Sequence, residues 1–170
     1  MKITILTIII FNLLLLQPPI TDDGWIDYLR LKSHYPNMSF HAYACLQYQC
    51  KISNVSLDDY AALVKAESRW IEVPLQVSVS GALGLGQIMP FNYPGPKEDL
   101  RFADVNFRVG VPYYAYCLRL AKGDKKEALR FYNAGPASKK SNYRNWGYVN
   151  AITYHSDAAQ KNKERYYKIY

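Results

Sequence analysis

The chain has 170 residues, 49% of them hydrophobic and 21% charged, which excludes a disordered chain and suits one ordinary core rather than several. Its formal charge of +7 attracts polyanions in general: nucleic acid, anionic lipid or acidic wall polymer. The basic residues gather on no single helix face, and no zinc-finger, RRM or helix-turn-helix signature is present, so nucleic acid is not an expected partner.

In chain order, Lys2 precedes an apolar run, Ile3 to Leu16, broken only by Thr4, Thr7 and Asn12 and closed by Gln17-Pro18-Pro19. The run has the length of a signal h-region and is short for a bilayer span. Residues 1–20 are therefore expected to be a signal peptide or N-terminal export segment. Residues 21–170 form a single domain delivered to the periplasm or cell envelope. A helix is predicted near Trp25–Ser33. In an exported chain Cys45 and Cys50 could close a small loop, leaving Cys117 buried in a helix, and the sequence leaves that disulfide open. A set of His34, His41, Cys45 and Cys50 lacks the paired spacing of structural zinc sites, so no metal is expected.

Ser56 caps a predicted helix with Asp58 and Asp59 in its first turn, where negative charge is favoured. Its apolar stripe is Leu57, Tyr60, Ala61, Val64 and Ile71, and Pro74 is expected to stop it soon after Trp70. Gly81, Gly84 and Gly86 then imply tight turns or close backbone approach. Asn92 to Arg101, with two prolines and a glycine, reads as a surface loop. A helix follows from Asp104 to Lys122, with Pro112 either kinking it or opening its second half. Asp124 and Glu127 make a capping box for a helix that Gly135-Pro136 closes. The last stretch, Tyr148 to Tyr170, reads as one helix whose Lys161, Lys163, Glu164, Arg165 and Lys168 form a solvated face. The class is mainly α.

Glu67 lies in the row Tyr60, Val64, Glu67, Ile71, at the border of an apolar face and near a helix end. Burial and the negative end of the helix dipole both raise a carboxyl pKa, and a carboxyl protonated near neutrality suits a general acid. On periodicity alone, an ion pair with Lys65 or Arg69 explains the residue as well. The tyrosines, 16 against 6 Phe and 3 Trp, carry a similar choice: sugar stacking, or helix packing with the hydroxyl reaching water.

Four segments occur in order: Glu67-Ser68; Gly81-Ala82-x-Gly84-Leu85-x-Gln87 with Pro90; Phe131-Tyr132-Asn133-Ala134-Gly135-Pro136; and Gly147-Tyr148-Val149. Together they resemble the lytic transglycosylase family with a goose-lysozyme-like catalytic domain, over about Leu57 to Ile152. The resemblance implies a lysozyme-like fold acting on peptidoglycan glycan strands, with no cofactor. Glu67 matches the acid–base carboxyl. Ser78, Gln87, Tyr132, Asn133 and Tyr148 match positions that line the sugar groove or hold the carboxyl. No second carboxylate matches a catalytic position, so the implied reaction makes a 1,6-anhydro product without water. The chain departs from the pattern in a longer Trp70–Ser78 spacing, in Gly86 where the family has Met, and in Pro112. The alternatives are a goose-type lysozyme and a non-catalytic wall-binding assembly protein. A lipid-binding role lacks the basic amphipathic helix it needs. Small members of the family serve secretion, conjugation or flagellar machines, and a monomer is expected.

Overall fold

Burial of one helix along almost its whole length organises the molecule. The computed structural model describes residues 22–72, 77–136 and 145–169, and the expected export segment lies outside them. The described helices are α1 (Asp22–His34), α2 (Phe40–Ser53), α3 (Leu57–Ser68), α4 (Ala103–Leu120), α5 (Lys125–Ala134), α6 (Trp146–Lys161) and α7 (Lys163–Ile169). Short 3-10 turns cover Pro90–Asn92 and Lys97–Arg101. No strand occurs among the described residues, only isolated bridges from Leu83 to Val77 and Ile88. No described helix is long and apolar enough to cross a membrane.

The buried helix is α3. Tyr60 through Val64 are all without solvent contact, because the helix is wrapped by α2 and α6 while α4 packs on α2 and carries α5. Each large apolar side chain removed from water there contributes roughly 1.5–3 kcal/mol. Ser56 caps α3 by accepting from Asp59 N. Asp58 and Asp59 do more than complement the helix dipole. Asp58 pairs with the fully buried Arg30 of α1 at 2.7 Å. Asp59 accepts from Ser156 of α6 at 2.6 Å and pairs with Lys125 of α5 at 2.7 Å. Charges at one helix start thus dock three other helices.

The end of α3 differs from the expectation. It stops at Ser68, with Arg69 and Trp70 both left-handed (φ 56° and 60°). The chain reverses there because the indole of Trp70 is 1% exposed and donates Nε1–H to Ala61 O at 3.1 Å. Burying that ring outweighs a left-handed backbone that costs of order 1–3 kcal/mol per residue. Ile71 accordingly leaves the stripe and is exposed. The longer Trp70–Ser78 spacing crosses 73–76, outside the described residues.

Two further expectations are corrected. Cys45, Cys50 and Cys117 are all free thiols. Cys45 and Cys50 lie on one helix, and five residues at the helical rise separate them by about 7.5 Å along the axis, beyond the reach of a disulfide. Asn92–Arg101 is the surface loop expected, ending in the 3-10 turn Lys97–Arg101 with Leu100 fully buried. The final stretch is two helices: Asn162, whose amide meets His34 Nε2 at 3.0 Å, breaks it so that α7 turns onto α1. The basic residues Lys161, Lys163, Arg165 and Lys168 are exposed as expected.

Pro112 sits inside a single α4, on its exposed side, where a carbonyl without an intrahelical partner costs least. The capping box forms by half. Asp124 accepts from Lys126 N and Glu127 N, while Glu127 pairs with Arg130.

Candidate active site

Glu67 is in the last turn of α3, on the same side as the buried Tyr60 and Val64. Its neighbour across the α3–α6 contact is Tyr148, whose position in the first turn of α6 is fixed when Asn145 Oδ1 accepts its N–H at 3.2 Å. Tyr148 Oη donates to Glu67 Oε1 at 2.5 Å. Glu67 makes no ion pair among the described residues, with Lys65 and Arg69 included.

Burial raises the Glu67 carboxyl from its ordinary 4.5 to about 7, with the Tyr148 hydrogen bond acting in the opposite direction. Burial in turn raises the phenols of Tyr60, Tyr132 and Tyr148, and the Glu67 charge adds to it in all three. Electrostatics therefore groups one carboxyl with three tyrosines.

Behind Glu67 runs a chain of oriented bonds. Tyr132 Oη donates its only proton to Gly86 O at 2.8 Å. The 3.1 Å contact between Tyr60 Oη and Tyr132 Oη must therefore use the Tyr60 proton. The N–H of Gly86 donates to Asn106 Oδ1 at 2.7 Å. The Asn106 amide donates to Leu83 O at 2.9 Å and Leu100 O at 2.6 Å. Both polar groups of Gly86 are held, and a Cβ there would lie 2.9 Å from Tyr60 Oη and 3.1 Å from Tyr132 Oη. The expected loss of an apolar side chain at Gly86 is thus met by two phenols that fill its place. At Gly84 (φ +73°) a Cβ would fall 2.1 Å from Leu100 O, so the turn requires glycine twice over.

In front of this layer is a groove of about 370 Å³ lined by Gln87, Phe91, Asn92, Tyr113, Tyr132 and Asn133 among others. It mixes aromatic faces with amides, the surface that covers and hydrogen-bonds a sugar ring. Of the residues singled out in the sequence, Gln87, Tyr132 and Asn133 meet here. Gln87 also folds back, with φ 50° and Nε2 donating to Gly84 O at 2.8 Å. Glu67 and Tyr148 form a bonded pair outside that lining, and the Glu67 charge is felt at Tyr132. Ser78 stands apart in its own turn, where Oγ accepts from Ala82 N at 2.9 Å and meets Ser80 Oγ at 2.9 Å.

Sequence reasoning missed Tyr60 as a site residue, and Asn106 altogether. A fully buried asparagine on α4 among Ala103, Phe107, Gly110 and Val111 was the available signal, since a polar residue on an apolar face implies buried partners. Among the described residues no three His, Cys, Asp or Glu side chains gather as metal ligands.

The raised carboxyl sets a pH dependence. Activity that needs protonated Glu67 is expected to fall as pH rises through about 7. In Tyr148→Phe, which lacks the hydrogen bond favouring the charged form, that limb should move to higher pH. A pH profile of kcat/KM on soluble glycan reads both, and an unmoved limb would remove Tyr148 from control of the carboxyl.

A family model described as transglycosylase SLT domain matches residues 44–154, which include α3, α4, α5 and the part of α6 that carries Tyr148. No curated protein matches the chain, nor does any solved structure.

Proposed function

Because the chain belongs to the transglycosylase SLT domain family, whose substrate is peptidoglycan, we propose that it is an exported lytic transglycosylase cleaving the MurNAc–GlcNAc β-1,4 bond with Glu67 as acid and then base. One observation carries this reading: a single half-buried carboxyl, raised to about 7 by desolvation and held by Tyr148. Glu67 gives its proton to the bridging oxygen, and the GlcNAc leaving group departs. The developing positive charge at C1 of MurNAc is met by that sugar's own N-acetyl oxygen. The Glu67 carboxylate then takes the proton from the C6 hydroxyl as O6 attacks C1. The ring closes as a 1,6-anhydro end and the carboxyl is protonated again. A two-carboxylate glycosidase would place a second acid across the bond, whereas the side-chain partner of Glu67 among the described residues is the Tyr148 phenol.

The groove of Gln87, Tyr132 and Asn133 receives the strand in this reading, and Ser78 stiffens the turn beside it. Mass spectrometry of products from purified sacculi tests it. Muropeptides ending in 1,6-anhydroMurNAc are expected. Products one water heavier would make the protein a goose-type lysozyme, and intact sacculi would make it a non-catalytic wall binder.

A further inference from the structure

A second concavity, about 480 Å³, adjoins the groove and shares Met89 with it. Its volume is in the range of ligand sites, roughly 300–1,000 Å³, yet its chemistry is unlike the groove's. The groove offers Phe91, Tyr113 and Tyr132 beside amides. Among the described residues lining the second concavity there is no aromatic ring. Val77, Leu83 and Met89 make an apolar floor, and the rim carries Lys97, Glu98 and Arg101. A polysaccharide takes its affinity from ring faces and hydroxyl pairing, and finds little of the first here.

The rim is built to present charge. Lys97–Arg101 is a 3-10 turn anchored at both ends of its packing: Leu100 is fully buried, and its carbonyl accepts from the Asn106 amide. Arg101 Nε donates to Glu98 O at 2.8 Å, which restrains the guanidinium where it lines the concavity. Lys97, Glu98 and Arg101 make no ion pair among the described residues. Two cations and one carboxylate over an apolar floor match a short peptide that carries several carboxylates, one free amine and small alkyl side chains.

We propose that this concavity binds the peptide side arm of the glycan strand, with Lys97 and Arg101 on its carboxylates and Glu98 on its amine. The proposal rests on peptidoglycan being the substrate. In that polymer the peptide is borne on the lactyl ether of MurNAc, so a strand in the groove extends its arm sideways, and the compartment sharing Met89 lies next to it. Lys97 and Arg101 then determine specificity, selecting strands that still carry peptides over stripped ones.

The direct test is NMR titration of the protein with a synthetic L-Ala–γ-D-Glu–diaminopimelate tripeptide. Saturable binding that perturbs residues 97–101 and weakens with added salt is expected. Lys97→Ala should reduce the affinity, and Lys97→Ala/Arg101→Ala should reduce it roughly ten-fold or more, the size of a lost charge-assisted bond. In parallel, the ratio of kcat/KM on peptide-bearing strands to that on amidase-stripped strands should fall toward one in both variants. No saturable binding at millimolar tripeptide, or binding unchanged in the double variant, overturns the proposal. A protein that binds tripeptide through these residues but leaves sacculi intact instead overturns the enzymatic reading, so the two failures are distinguishable. Lys97 is exposed, so its single variant keeps the test valid if the double variant unfolds.

Discussion

Glu67→Gln is expected to fold, to lose at least about a hundred-fold of its glycan cleavage, and to be more stable than wild type at pH 8. The amide replaces the carboxyl almost isosterically, and its carbonyl oxygen can accept the Tyr148 hydroxyl that now meets Oε1. What it lacks is a proton to give. The stability change has a definite sign. In the unfolded chain the carboxyl ionises near 4.5, and in the folded one near 7. Below 4.5 it is protonated in both states and carries no penalty. As pH rises from 4.5 to 7 the unfolded state releases its proton and the folded state does not, so stability falls, by on the order of 3 kcal/mol for a shift of that size. Glutamine has no such loss. Sacculus lysis and urea unfolding at pH 4 and pH 8 give both readings. A variant that lyses sacculi as wild type does ends the proposed mechanism. A pH-independent stability difference would mean that Glu67 is solvated.

Asn106→Ala should produce the largest structural effect away from the carboxyl, a destabilisation of about 3–5 kcal/mol. The side chain is fully buried and makes three hydrogen bonds, to Gly86 N, Leu83 O and Leu100 O. Truncation strands Gly86 N and Leu100 O, each at about 1–3 kcal/mol, and removes one of two bonds to Leu83 O, which still accepts from Ile88 N; sharing one site, these losses do not add in full. At roughly 2–4 °C per kcal/mol for a domain of this size, melting should drop by about 10 °C. The same change frees Gly86, the residue that receives the Tyr132 proton, so cleavage should weaken even well below the melting point. A melting temperature within two or three degrees of wild type would show that the turn holds itself without Asn106.

The two variants separate kinds of information. Glu67 was visible in the sequence because a helical row of Tyr60, Val64 and Glu67 places a carboxyl on an apolar border, and because its motif company narrowed the chemistry to that of one family. Asn106 was not, although its role in the site is as physical. Its partners are backbone groups twenty and twenty-three residues upstream and six residues upstream, and a hydrogen bond to a distant carbonyl leaves no pattern in side-chain spacing. Tyr60 was read as core, correctly for its ring, while its hydroxyl has a second task toward Tyr132.

Local rules carried two capped helix starts, missed the helix Phe40–Ser53 that the Ser39 side chain caps, and failed at some helix ends. Ser56 and Asp124 act as caps because a side-chain oxygen reaches N–H groups two or three residues on, an interaction wholly contained in the sequence. The stop of α3 at Ser68 depends on where the Trp70 indole finds a cavity, and the break at Asn162 depends on α1 being there for α7 to pack against. Likewise Cys45 and Cys50 suit a disulfide by number, and are separated by the helix that contains them both.

By itself, then, the sequence determined the helical class, the capped helix starts at Ser56 and Asp124, and the carboxyl to examine, since each follows from neighbours along the chain. The tertiary structure alone decided which phenols reach that carboxyl, that Gly86 is clamped between Asn106 and Tyr132, and that Lys97 and Arg101 share a concavity next to the groove. Those are contacts between residues far apart in the chain, fixed by how α3, α4 and α6 exclude water together, and burial of that kind is a property of the packed assembly rather than of any segment in it.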